Sequence, residues 1–243
     1  MKTQKMTARI LAAGGLAFGA LCLQSHAALT NGGFELGLTG WNTADQVGSD
    51  GSFLSQTGLL SPLNAFAVPA PPEGTQAAMT DSGAGGAHVL YQDFVVPVGV
   101  TLATIDFSLY LNNGAGTYFN PAFLDWARTS PQGGTNLNQQ ARVDIMTTSG
   151  DVFSVAAADV LLNLFQTGAA TPAVTGYNPL SFDFTALAQA HAGETLRLRF
   201  AETDNVNFFN MGVDNVVLVI PAPSTLIVSM GAPLLVFRRR HRR

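Results

Sequence analysis

The sequence predicts an all-β protein built as an antiparallel β-sandwich, and three observations predict it. Several segments alternate apolar and polar residues with a period of two, as half-buried strands do. Turn-forming clusters recur between them: Asn31-Gly32-Gly33, Gly83 to Gly86, Asn112-Asn113-Gly114, Ser149-Gly150-Asp151 and Ala192-Gly193. Hydrophobic residues make up 47% of the 243 residues and charged residues only 12%, so the chain can fill a sizeable core without disulfides.

The first element is an address. Lys2, Lys5 and Arg9 precede an apolar run over residues 10–23, and Ser25-His26-Ala27 supplies a small-x-small cleavage site. This is the layout of a secretory signal peptide over residues 1–27, cut after Ala27. The single cysteine, Cys22, leaves with it, which excludes disulfides and cysteine-based zinc sites from the mature chain.

A domain over residues 28–220 follows. Leu90, Gln92, Phe94 and Val96 share one face of a strand. Over residues 105–111 the odd positions are apolar. Val143 and Ile145 face inward, with Arg142 and Asp144 on the opposite face. In Leu196-Arg197-Leu198-Arg199-Phe200 both arginines point out. Phe182-Asp183-Phe184 repeats the device, and a last strand runs from about Met211 to Ile220. A short helix is expected at residues 185–191, since Gly193 follows it. Residues 159–166 fit helix or strand. Residues 57–76, with four prolines, and 112–139 read as long loops, which are uncommon without a role.

Charge is partitioned. Residues 28–220 hold all sixteen acids and only Arg128, Arg142, Arg197 and Arg199 among the bases, leaving that stretch at −12 while the whole chain is −4. Such a body repels phosphate backbones, so nucleic acid is not an expected partner.

Residues 221–243 run Pro221-Ala222-Pro223-Ser224-Thr225, then twelve apolar residues, then an arginine cluster. As a helix, twelve residues span about 18 Å, short of the ~30 Å hydrocarbon core. The arginines favour a cytoplasmic end and a translocated body. This three-part layout resembles the PEP-CTERM sorting signal of Gram-negative bacteria, with Ala222 where Glu is usual. The resemblance implies export across the inner membrane, transient membrane contact through the tail, and processing by an exosortase-type enzyme near Pro221, Pro223 and Ser224. It also implies a place at the cell surface or in an exopolysaccharide matrix.

Asn31-Gly32-Gly33-Phe34-Glu35 with Gly40-Trp41 resembles the opening of galactose-binding-like jelly-roll modules, many of which bind carbohydrate. Phe182-Asp183-Phe184-Thr185, residues 196–200 and Gly212-Val213-Asp214-Asn215-Val216 resemble their closing strands. The resemblance implies a jelly roll and a structural Ca²⁺ shared by Glu35 and Asp214. Calcium takes six to eight oxygens, carboxylate and carbonyl alike, and an ion joining first and last strands suits a cysteine-free domain. Asp81, at a strand end before a glycine turn, is a third candidate ligand. The alternative is that these acids only hold turns.

Catalytic signatures are lacking: there is no Gly-x-Ser-x-Gly and no His-Glu-x-x-His. His88 and His191 are the only histidines of the body. A glycosidase pair is set by separation in space and not by local sequence, so it stays a lesser alternative. Tyr118, Phe119 and Trp126 lie in the long second loop and are candidate sugar-stacking residues. The competing reading is that Phe119, Leu124 and Trp126 pin that loop to the sandwich. The expected function is a non-enzymatic exported surface or matrix protein, and the alternative is a calcium-dependent carbohydrate-binding module.

Overall fold

The computed structural model describes residues 29–221. The signal segment with Ala27 lies outside the described residues, as does the tail beyond Pro221 with Pro223 and Ser224. Among the described residues, no helix is long and apolar enough to cross a membrane.

Eleven strands and one short helix follow in order: β1 (Glu35–Leu38), β2 (Asn42–Asp45), β3 (Ser52–Thr57), β4 (Gln76–Asp81), β5 (Gly86–Val95), β6 (Thr104–Asn113), β7 (Gln139–Thr147), β8 (Val160–Gln166), β9 (Asn178–Asp183), α1 (Thr185–Ala190), β10 (Thr195–Asp204) and β11 (Phe209–Val219). Two five-stranded antiparallel sheets form the sandwich, ordered β2-β5-β10-β7-β8 and β3-β4-β11-β6-β9. The expected helix is α1, and the ambiguous 159–166 segment is strand β8.

The core follows from alternation. Ile105, Phe107, Leu109 and Leu111 of β6 meet Leu196, Leu198 and Phe200 of β10 between the sheets. Trp41 closes one end: its ring lies 5.2 Å from Phe34 and 6.0 Å from Phe200, and its Nε1 donates to the Asn31 carbonyl at 3.0 Å. Burying aromatics on this scale supplies much of the driving force for folding.

One expectation is corrected. The outward charges on β7 and β10 are not solvated, because loops cover that face. Val89, Leu124 and Ala201 form a second cluster there, packed by Val152, Phe153 and Val155. Beneath it Arg142, Asp144 and Arg199 are buried. The Asp144 carboxylate accepts from Arg142 Nε at 2.7 Å and also from Arg199. Arg199 Nη1 donates to the carbonyls of Val152 and Ser154, each at 2.7 Å. A buried charge needs such partners. The other sheet is covered likewise, with Val68 of the 58–75 loop sealing Met79, Tyr110 and Tyr177. The long loops are therefore outer walls of the fold.

Candidate functional site

Three turns meet at one end of the sandwich and enclose a groove of ≈ 430 Å³. Asn64 and Phe66 come from the β3–β4 loop, Ser82 to Gly85 from the β4–β5 turn, and Asn205 to Phe208 from the β10–β11 turn. The rings of Phe66 and Phe208 sit 5.1 Å apart at a 38° tilt, and Phe66 is 41% exposed. Phe208 lies over Gly114, where an added Cβ would stand 2.6 Å from its Cδ1.

The groove is rigidly framed. Asp81 accepts from the backbone N–H of Leu63 (2.7 Å) and Asn64 (2.8 Å) and from Asn64 Nδ2 (2.9 Å). Those bonds hold its carboxyl below the usual range even though burial pushes the other way. Asn205 Nδ2 donates to the carbonyls of Trp126 and Asn136, both at 2.7 Å. Asn207 Oδ1 accepts from Phe208 N at 2.9 Å. These side chains are spent on the frame. Asn64 and Ser82 are among the polar residues that line the groove.

Asp204 lines the groove and leads inward. On β10 the even positions face the core, so the apolar series Leu196, Leu198, Phe200 continues into Glu202 and Asp204. The register sets Glu202 opposite His88 of β5, and His88 opposite Asp45 of β2. Asp45, His88 and Glu202 therefore form one row across three strands, with Asp204 at the next inward position. One ligand atom each from His88, Glu202 and Asp204 lies within 4.8 Å of the others. His88 Nδ1 bonds Asp45 Oδ1 at 2.7 Å, and Asp204 Oδ1 accepts from Gly86 N at 2.8 Å. His88 Nε2 and both carboxylate oxygens of Glu202 are buried without a hydrogen-bond partner.

Burial drives the electrostatics of this cluster. It pushes Asp204 up to about 7, only partly offset by Gly86 N–H and His88. Burial, then the neighbouring Asp204, raises Glu202 well above the carboxylate range, although the Thr80 hydroxyl faces it and eases the charge.

The residues expected to hold calcium are divided by the structure. Glu35 and Asp214 lie where the opening turn meets β11, which bulges between Asp214 and Val217 with Asn215 at φ +52°. The bulge sends Val216 N to the Gly32 carbonyl at 2.9 Å. Glu35 accepts from the N–H groups of Thr75 and Gln76, both at 2.8 Å, and these lower its pKa. Asp214 accepts from Glu73 N at 3.1 Å and Asn215 N at 2.7 Å. Burial foremost, with the charges of Glu73 and Glu35 adding to it, pushes Asp214 up to about 6 against those two bonds. Glu73, absent from the sequence-based set, thus joins the pair. Asp81 does not. It sits at the far end of β4, about 16 Å from Gln76 at strand rise, and frames the groove instead.

The loop aromatics also lie elsewhere. Tyr118 packs on Phe209 at 5.8 Å and donates its hydroxyl to the Pro172 carbonyl. Phe119 pairs with Gln139 through two backbone bonds. Trp126 lies 3.3 Å from a Cβ placed on Gly85 and 3.5 Å from one on Gly48. None of the three lines the groove.

No protein-family model matches the chain, and no curated protein is significantly similar to it. Solved structures resemble it at low identity. TmCBM61, determined with β-1,4-galactotriose, is 10% identical over 81% of this chain and 99% of that one, with a TM-score of 0.45. The K3 cleaved adhesin domain of Lys-gingipain from Porphyromonas gingivalis is 13% identical over 79% and 99%, with a TM-score of 0.46. The cyclase Fisc from Fischerella sp. TAU is 17% identical over 82% and 100%, with a TM-score of 0.43.

Proposed function

We propose that this chain is an exported glycan-binding β-sandwich whose ligand occupies the groove beside Phe66 and Phe208. The observation that carries the reading is the tilted phenylalanine pair, Phe66 exposed and Phe208 half-buried, in a groove also lined by Asn64, Ser82, Asn205 and Asn207. Apolar ring faces stack on the C–H faces of sugars, and a preformed site saves the entropy of ordering it. The acidic body favours neutral glycans or acidic ones bridged by a cation.

Binding without turnover fits the groove's composition. Asp204 is its sole titratable lining residue, whereas glycoside hydrolysis needs two carboxyl groups flanking the bond. Glu202, its neighbour, is only 1% exposed and is walled off from a ligand.

A structural Ca²⁺ belongs to the same reading. Glu35 and Asp214 would hold it with Glu73 beside them, and a dication there would offset the burial and the neighbouring Glu73 and Glu35 charges that raise Asp214. The ion would supply charge neutralisation and join the first strand to the last. Export through residues 1–27, exosortase-type sorting through residues 221–243 and a polysaccharide matrix as partner complete the proposal. A glycan array with and without calcium tests it: retention of a neutral oligosaccharide supports the reading, and no retention in either condition refutes it.

A further inference from the structure

The interior row behind the groove has a chemistry that glycan stacking does not use. His88 is fully buried, Glu202 is 1% exposed and Asp204 2% exposed. Neither oxygen of the Glu202 carboxyl nor His88 Nε2 has a hydrogen-bond partner among the described residues, and an orphaned buried polar atom calls for an explanation. Among the described residues, a cationic side chain is not the explanation. Arg142 and Arg199 are bound to Asp144, Arg197 to Asp93, and Arg128 lies over the Phe123 ring. Residues 29–221 contain no lysine.

We propose that His88 Nε2, Glu202 and Asp204 bind a divalent first-row transition ion, with zinc as its probe. The Asp45 carboxylate only accepts, so the imidazole hydrogen sits on Nδ1 and Nε2 is left buried with a free lone pair. A carboxylate holding the far nitrogen of a ligating histidine is the arrangement that fixes ring orientation in metal sites. One imidazole nitrogen and two carboxylates suit zinc, which is held at about 2.0–2.2 Å by such donors. They do not suit calcium or magnesium, which take oxygen ligands. Two carboxylates and a dication also neutralise one another, which removes the cost of burying them. The three protein donors leave one tetrahedral position for water. Gly86 matters here: an added Cβ would collide with His88 Nε2, so glycine keeps the nitrogen clear. The site is distinct from the Glu35–Glu73–Asp214 turn, and the inference does not rest on the glycan reading.

The test uses the untagged mature chain, stripped with chelator and titrated calorimetrically with Zn²⁺, Ca²⁺ and Mg²⁺. The expected result is one equivalent of Zn²⁺, lost in Glu202→Gln and His88→Gln and kept in His191→Gln, which removes the other described histidine. At free Zn²⁺ a hundred times Kd, Tm rises by roughly 5–10 °C in the wild type and stays put in Glu202→Gln. Glu202→Gln keeps the side chain's shape and removes only its capacity to ligate as a carboxylate, and its urea midpoint, measured alongside, shows that it is folded even where His88→Gln is not. Failure of the wild type to bind Zn²⁺ overturns the proposal. So does equal binding by folded Glu202→Gln, which would place the ion on the surface.

Discussion

Asp144 stands directly opposite Arg199 in the β7–β10 register, and both side chains are wholly buried. Arg142 grips the same carboxylate through two nitrogens, at 2.7 and 2.8 Å. One carboxylate therefore serves two guanidiniums beneath the 148–159 loop. Asp144→Asn strands two buried positive charges, and the expected cost is about 3–5 kcal/mol, read from the urea midpoint.

The same carboxylate makes stability depend on pH. Burial raises the Asp144 pKa, but the Arg142 hydrogen bonds and the two arginine charges more than offset this and lower it overall. Its ionised form thus stabilises the fold above the unfolded carboxylate range near ~3.9, and the contribution fades as pH falls through the lower folded value. The stability gap between wild type and Asp144→Asn shrinks below about pH 4. A gap constant from pH 7 to 3 contradicts this assignment.

Calcium removal has its own signature. Chelation lowers Tm in the wild type, and Asp214→Asn and Glu35→Gln abolish the calcium response, as does Glu73→Gln. Scanning calorimetry of chelator-stripped protein with and without added Ca²⁺ checks this. An unchanged Tm means these acids merely hold turns.

Gly114 is a lever on the groove. An alanine there places its Cβ 2.6 Å from Phe208 Cδ1 and 2.8 Å from Cζ, so the ring moves off Phe66. Gly114→Ala is expected to weaken glycan binding about tenfold, equivalent to ~1.4 kcal/mol, while Tm changes by only a few degrees. Equal affinity would show that the ring pair is not the platform.

Much of the sandwich was legible because period-two alternation records which face is buried. Leu196 through Phe200 and residues 105–111 marked two central strands. The outer cover was not legible. Arg197 and Arg199 alternate with apolar residues in the way solvated charges do, and nothing local tells that residues 148–159 fold over Arg199. The candidate site was harder still. Glu202 and Asp204 prolong the inward series of β10, a signal present in the sequence, but His88 joins them only through strand register. Asn64, Phe66 and Phe208 meet from loops far apart in the chain, and such proximity has no periodic trace. Tyr118 and Trp126 stood out by composition alone, which does not report orientation.

The most direct measurement of the central claim is calorimetric titration of an array-selected oligosaccharide into the wild type, Phe66→Ala and Phe208→Ala. The account predicts saturable binding at one site, weakened about tenfold or more by each substitution, with unchanged urea midpoints. Wild-type affinity in both folded variants would contradict it and move the ligand away from this groove.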